Sequence, residues 1–406
     1  MSLAPGPLSH FNEVGRDKED IMAVTRLQNI PGIGVDRMAD KADSMRNANI
    51  LRLENLDTDL RPPPAAIRRT HDAIDDDAAN SYLPFMGQHA LREAAVERIR
   101  RFSGATYDPD AECIISAGGL AGILNVLLST LEKGDEVVLT DPTYAGLINR
   151  VYLAGGVPRF ARLIPGIDGW RLDLESLADA IGPRTRALLI MSPSMPTGFV
   201  VSALEWGAIA LHCERAGAWL VYDAAMERIL FDGRKVVHPV SLPGMRERTI
   251  TVGSVSKEYR MIGWRVGWIV GPEQLMADVR LTSLSNVVCQ VGIAMSGATA
   301  ALTADDDGVA AATAEWERRR DAVMSALTDL PVIRPHGGWS LLIDTQQLGL
   351  APSEASRRLL ERGEVAATPM DNWGPSGSRY LRLVFANEPI ERLADIRARI
   401  RLSWDI

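Results

Sequence analysis

The sequence predicts an α/β fold. A mostly parallel central sheet is flanked by helices to form a large domain, and a smaller α/β domain is made from both chain ends. Three observations carry this reading. The chain has 406 residues, enough for two domains or one large α/β unit with an appendage. Between residues 113 and 270, short runs that are apolar throughout alternate with longer helical stretches. Strands of that kind are buried on both faces, as in a parallel sheet covered by helices. Beyond a long charged helix, two more strand signals follow at 341–343 and 380–384.

In order along the chain, residues 1 to about 60 read as irregular and polar. They end in Asp57-Thr58-Asp59-Leu60-Arg61-Pro62-Pro63-Pro64, whose prolines forbid regular helix or a central strand. Residues 90–102 read as an amphipathic helix, with Leu91, Ala95, Ile99 and Phe102 on one face and Arg92, Glu93, Glu97 and Arg100 on the other. Strand signals then fall at 113–116, 137–139, 187–191, 219–222, 250–252 and 266–270, with a helix expected from about Leu120 to Leu131. The residues of chemical interest sit just after these runs, where sheets of this class bind ligands. A charged helix is expected over about 305–330, with Glu315, Glu317, Arg318, Arg319 and Arg320. The expected division is 1–60 joining the small domain, 61–304 as the large domain, and 305–406 as the small domain.

Composition narrows the function. Hydrophobic residues make up 46% and charged residues 24%, ordinary for a soluble globular enzyme. The net charge is 44 − 52 = −8, which argues against nucleic acid as a partner, because phosphate backbones need a basic surface. No apolar run reaches the roughly 18 residues that a membrane span needs. The N-terminus lacks a basic start followed by an apolar segment, so no secretory signal is expected. Cys113, Cys213 and Cys289 are far apart with no CxxC. They read as reduced thiols of a cytoplasmic protein. No HExxH and no histidine cluster occurs, so no metal site is indicated.

The most informative stretch runs from Gly253 to Trp268, with Ser254, Lys257 and Arg265 set in apolar, glycine-rich flanks. An ordinary lysine has a pKa of about 10.4 and is a poor nucleophile at neutral pH. Burial beside another cation lowers that value and lets the amine attack a carbonyl. The serine hydroxyl and the guanidinium suit a phosphate. A carbonyl and a phosphate on one small cofactor point to pyridoxal 5'-phosphate. Asp223 ends an apolar strand, where a carboxylate can pair with the cofactor's ring nitrogen and keep it protonated. In Ser116-Ala117-Gly118-Gly119-Leu120-Ala121-Gly122, glycines allow close backbone approach and the opening of a helix favours an anion. The run is one residue short of the dinucleotide fingerprint GxGxxG.

Ser-x-x-Lys followed by Gly-Trp-Arg-x-Gly resembles the lysine signature of the class I/II aminotransferases, the fold-type I pyridoxal phosphate enzymes that include aspartate aminotransferase. The resemblance extends from about residue 50 to 390. It implies that Lys257 forms the Schiff base with the cofactor and moves the proton during transamination. It implies phosphate contacts from Ser254, Arg265 and the amides of Gly119 and Leu120. Many relatives carry a polar side chain where Leu120 stands. Asp141-Pro142-Thr143-Tyr144 resembles the family's Asp-Pro-x-Tyr, whose ring stacks on the cofactor; stacking of flat rings contributes about 0.5–1.5 kcal/mol beyond burial. Tyr82 resembles the tyrosine that reaches the phosphate of the neighbouring subunit, which implies a homodimer with shared sites. Arg382, in Tyr380-Leu381-Arg382-Leu383-Val384, matches the arginine that grips the substrate's α-carboxylate through two parallel hydrogen bonds.

The chain also departs from the family. Ser192-Pro193-Ser194-Met195-Pro196-Thr197-Gly198 aligns with Asn-Pro-x-Asn-Pro-Thr-Gly, so Met195 stands where an asparagine donates to the cofactor's phenolic oxygen. Met226 stands where a tyrosine often donates to the same atom. A thioether has no proton to give. The phenolate is then expected to pair more with the Schiff-base proton, raising its pKa relative to relatives. The Glu54–Leu60 stretch lacks the obvious glycine of the relatives' Gly-x-Pro-Asp.

The expected activity is transfer of an amino group between an L-amino acid and a 2-oxo acid. A lyase on the same fold is the alternative, because fold does not fix reaction type. A ligand-sensing regulator on this fold usually needs an attached DNA-binding domain, and none is expected from the short acidic-to-neutral N-terminal stretch.

Overall fold

In a computed structural model, residues 25–28, 30 and 32–406 are described. Among them, fourteen strands form three sheets. They are β1 (Leu51–Arg52), β2 (Cys113–Ser116), β3 (Glu136–Asp141), β4 (Val157–Gly166), β5 (Gly169–Leu172), β6 (Thr185–Met191), β7 (Trp219–Asp223), β8 (Thr249–Ser254), β9 (Gly267–Val270), β10 (Val332–Ile333), β11 (Ser340–Asp344), β12 (Val365–Ala366), β13 (Thr368–Pro369) and β14 (Tyr380–Val384).

The large sheet has the order β2-β9-β8-β7-β6-β3-β4-β5. Its centre, from β8 through β4, is parallel. The strand after the lysine stretch, β9, runs antiparallel to both β8 and β2, so β2 points the same way as β8. The carboxyl ends of β2, β3, β6, β7 and β8 therefore open on one edge. Each apolar run feeds two cores by the period-2 alternation of a strand. Leu188, Ile190, Leu220 and Tyr222 pack on one face, and Ala187, Leu189, Val221 and Ile250 on the other. Full burial of one such leucine or isoleucine stabilises by about 1.5–3 kcal/mol. This double burial is why the runs lack a polar position.

The smaller unit has an antiparallel sheet in the order β10-β11-β14-β13, and its helix Pro352–Gly363 packs against the helix Ile396–Trp404. The chain's two ends meet directly: β1 pairs in parallel with β12, Leu51 opposite Val365 and Arg52 opposite Ala366.

Three expectations need correction. Within the stretch read as irregular, residues 1–24 lie outside the described residues, but Val35–Ser44 is a helix. Met38 and Ala42, four apart, pack with Ile50, Leu360 and Ala366; the polar composition hid this stripe. The helix His89–Ser103 holds Leu91, Ala95 and Ile99 in the core, but Arg92 is also buried. Its guanidinium donates to Gly87 O at 3.2 Å and Asp110 Oδ1 at 2.8 Å, so partners supplied by the loops before and after the helix make burial tolerable. The charged helix is shorter than expected, Val309–Ala326. Arg319 and Arg320 point inward on it and bond the carbonyls of Ala386 at 2.8 Å and Pro335 at 3.0 Å.

Candidate active site

The strand ends line a cavity of about 710 Å³ that gathers Gly119, Leu120, Tyr144, Met195, Met226, Asp223, Ser254, Lys257, Arg265 and Arg382. Residues far apart in sequence thus meet because their strands share one sheet direction.

Lys257 lies in the loop after β8. Its Nζ donates to Leu56 O at 2.8 Å and lies 5.0 Å from the ring centre of Trp339. Burial pushes the amine down to about 8; Asp57 opposes this, and Arg265 and Arg382 add to it. A substantial neutral fraction is thus present near physiological pH, as a carbonyl-capturing amine requires.

Asp223 ends β7 and is buried. Burial raises its pKa to about 6, opposed by the Ala225 N–H, which donates to Oδ1 at 3.1 Å, and then by Arg150 and Lys257. Among the described residues, no cation forms an ion pair with this carboxylate within 4.0 Å. A buried carboxylate without a contacting cation is costly. A protonated ring nitrogen is a partner of the required sign and shape.

One end of the cavity is built from backbone. Gly118 has φ of +82° and precedes the helix Gly119–Thr130. A Cβ on Gly267 would stand 2.7 Å from Gly118 C and Gly253 O and 2.8 Å from Gly119 N, so this close approach requires glycine. A Cβ on Gly118 would stand 2.5 Å from Arg265 Nη2. Arg265 itself holds a left-handed backbone with φ of +55° and donates to Ser256 Oγ at 3.2 Å and Ile262 O at 3.0 Å. Ser254 Oγ lies 2.9 Å from Ser256 Oγ. Helix-start amides, two hydroxyls and one guanidinium around a space that no Cβ fills suit a phosphate dianion. Pyridoxal phosphate fits this donor set.

Opposite lies Arg382, fully buried on β14. It donates to Glu54 O and to Thr368 Oγ1 at 3.2 Å, and its Nη1 lies 3.7 Å from Met195 Sδ. Among the described residues, its Nε has no hydrogen-bond partner. Burial lowers its pKa to about 10, opposed by Tyr144 and Glu54, yet it remains charged at neutral pH. Tyr144 sits above this group with its ring 5.4 Å from that of Trp373, and burial raises its phenol. Met195 and Met226 are both buried in the cavity wall and bring thioethers to it.

Tyr82 is not brought to this cavity. It is 83% exposed and lines a separate shallow cleft with Cys289 and Val291. Sequence reasoning missed Ser256, Trp339, Trp373 and the Leu56 carbonyl. Ser256 was findable from its place beside Lys257. The others touch the site only through long-range packing and carry no local signal. Among the described residues, no His/Cys/Asp/Glu cluster could hold a metal, and no helix is long and apolar enough to cross a membrane.

Comparison with known proteins agrees with this arrangement. The family model for aminotransferase class I and II matches residues 48–400. An arginine–pyruvate transaminase of Pseudomonas aeruginosa is 34% identical over 351 residues, covering 84% of this chain and 87% of the relative. A probable N-succinyldiaminopimelate aminotransferase of Mycobacterium tuberculosis is 35% identical over 316 residues, 76% of this chain and 78% of the relative. The solved N-succinyldiaminopimelate aminotransferase from Mycobacterium tuberculosis superposes with a TM-score of 0.88 at 31% identity, covering 94% of this chain and 100% of that one. The aspartate aminotransferase of Thermus thermophilus with maleate gives 0.87 at 28% identity, covering 94% and 99%. The chain belongs to the class I and II aminotransferase family and is a pyridoxal phosphate-dependent aminotransferase.

Proposed function

We propose that this cavity is the transamination site and that its residues divide the work as follows. The observation that carries the reading is the convergence of Lys257, Asp223 and Arg382 on one cavity at the sheet's carboxyl edge. Bound pyridoxal phosphate supplies an electrophilic carbonyl and an electron-withdrawing ring. Lys257 would condense with that carbonyl, releasing water, and its amine, freed when the amino donor takes its place, would carry a proton taken from the substrate's α-carbon. Asp223 holds the ring nitrogen's proton. Gly118, Gly119, Leu120, Ser254 and Arg265 hold the phosphate, and Tyr144 covers the ring. Arg382 takes the α-carboxylate, with its free Nε as one available donor. Met195 and Met226 form the wall facing the phenolic edge.

The amino donor is read from what remains of the wall. Among the described residues, Lys257, Arg265 and Arg382 are the cations lining the cavity, and each is already assigned. The unassigned polar lining is Asp36, Asn55 and Asn149. This supports a donor with a neutral or cationic side chain over a dicarboxylic one. The relative named for arginine and pyruvate is consistent with that choice.

The finer assembly belongs to the same proposal. Tyr82 and Val291, 83% and 65% exposed, line one cleft, and exposed apolar surface of this kind is often covered by association. A homodimer would place Tyr82 near the partner's phosphate. The division 1–60, 61–304 and 305–406 is supported by the β1–β12 pairing of the two ends. A cytoplasmic location is supported by three unpaired cysteines.

The test is a donor screen against pyruvate and 2-oxoglutarate, with one single-turnover arm. Amino donor without acceptor should release one 2-oxo acid per Lys257 and then stop. Continued turnover without acceptor would indicate a lyase. Sedimentation would report the dimer.

A further inference from the structure

Trp373 sits where three parts of the site meet. It is fully buried in a turn between β13 and β14. Its indole N–H donates to Ile33 O at 3.0 Å. Its ring lies 5.4 Å from the Tyr144 ring, and the Arg382 guanidinium stacks 4.8 Å from its centre. Its backbone carbonyl accepts from Thr143 N at 3.0 Å. The turn is itself pinned: Asp141 at the end of β3 accepts from Ser376 Oγ at 2.9 Å. A Cβ on Gly374, where φ is +104°, would stand 2.4 Å from Asp141 Oδ1.

The segment that Trp373 holds forms part of the cavity wall. Gly32, Ile33, Val35 and Asp36 all line it. Gly32 and Gly34 have φ of +85° and +81°, and Gly34 caps the helix Val35–Ser44 without any side-chain bond. Ile33 and Val35 pack this flap against the core, and the indole hydrogen bond to Ile33 O adds a polar tie.

We propose that Trp373 is a positioning residue that latches the 32–36 flap over the cavity. It couples the flap's seating to Arg382 and Tyr144. The proposal rests on the transaminase reading given above. A cation on an aromatic face is attracted to it, so the indole that holds the flap also orients the guanidinium that takes the substrate carboxylate. A seated flap contributes wall to the bound substrate, and a loose one does not. Loss of the latch should therefore weaken substrate binding more than it slows the chemical step.

Trp373→Phe keeps an aromatic face and removes the N–H. In the holoenzyme it should raise KM for the amino donor about threefold to tenfold, the range set by one hydrogen bond, with kcat nearly unchanged. Tryptic cleavage after Arg37 should quicken in the same variant. Gly34→Ala strains the flap's left-handed backbone in an open region, where the nearest atom to a Cβ is the flexible Arg37 Nη2 at 3.6 Å. It should reproduce both effects without disturbing the core. Wild-type KM and cleavage rates in Gly34→Ala would overturn the proposal, even if Trp373→Phe failed to fold. Equal losses in kcat and kcat/KM with unchanged cleavage in Trp373→Phe would also overturn it. The cleavage arm needs no turnover, so a protein that fails to transaminate would sink the functional reading and leave the latch independently tested.

Discussion

The two ends of the cavity are built by different means. At the Gly118–Gly119 end the backbone does the shaping: Gly118, Gly119, Gly253 and Gly267 approach so closely that a Cβ on Gly267 would stand 2.7–2.8 Å from main-chain atoms. At the opposite end side chains do it. Arg382, Met195 and Trp373 meet at 3.7–4.8 Å through flexible or aromatic groups. The difference teaches where a site of this kind can vary. A backbone cradle tolerates no added atom and so appears in sequence as a fixed glycine pattern. A side-chain wall can exchange its members if volume is kept, and there the chain presents Met195 and Met226.

Lys257 stands between the two ends, and its loss should be the largest effect. Lys257→Ala is expected to lower kcat by about 10³-fold or more, the scale of removing a nucleophile that is also the acid–base group. Borohydride trapping should then find no covalent cofactor on the protein, and a trapped adduct would break the assignment. The pH dependence of capture gives a finer reading of the same residue. A lysine held at about 8 is neutral above that pH and protonated below it. The rate at which cofactor-free protein captures pyridoxal phosphate should fall about tenfold for each pH unit below 8 and level off above it. A rate still rising at pH 10 would restore an ordinary lysine.

Next in size is the side-chain end. Arg382→Lys keeps the charge but loses the planar fork, so kcat/KM should fall by about 10- to 100-fold, mostly through KM. Gly267→Ala tests the backbone end. Overpacking against main chain costs about 1–3 kcal/mol, and it should appear as weaker cofactor affinity and a lower Tm. If Gly267→Ala left cofactor affinity and Tm unchanged, the contrast between the two ends would be lost.

The smallest expected effect sharpens the comparison at the methionine wall. Met195→Asn returns a donor to the phenolic edge. A hydrogen bond to an anion favours the charged form, so the pH at which the bound cofactor changes colour should drop by about one unit. No change would mean that Met195 does not face that oxygen.

Much of this was legible in the sequence. The strand runs at 113–116, 187–191 and 380–384 appear at the expected places. Ser254, Lys257 and Arg265 were readable because their spacing is local. Other features were hidden for physical reasons. The helix Val35–Ser44 has a narrow apolar stripe in a polar segment. Arg98 is charged yet buried, because Glu227 at 3.1 Å and Glu258 at 2.9 Å meet it from distant loops.

The sequence by itself determined the layering of the sheet, the glycine-flanked lysine stretch, and the cofactor class. Each is written in short-range signals: the burial of a strand on both faces, the conformational freedom of glycine, the setting of one amine. Tertiary structure alone decided what surrounds that amine. Leu56 O and Lys257 Nζ are 201 residues apart in the chain, and Ile33 O and the Trp373 indole are 340 apart. No local pattern encodes such pairs. They arise when two chain ends fold back over a sheet edge, and that edge is where the walls of the cavity come from.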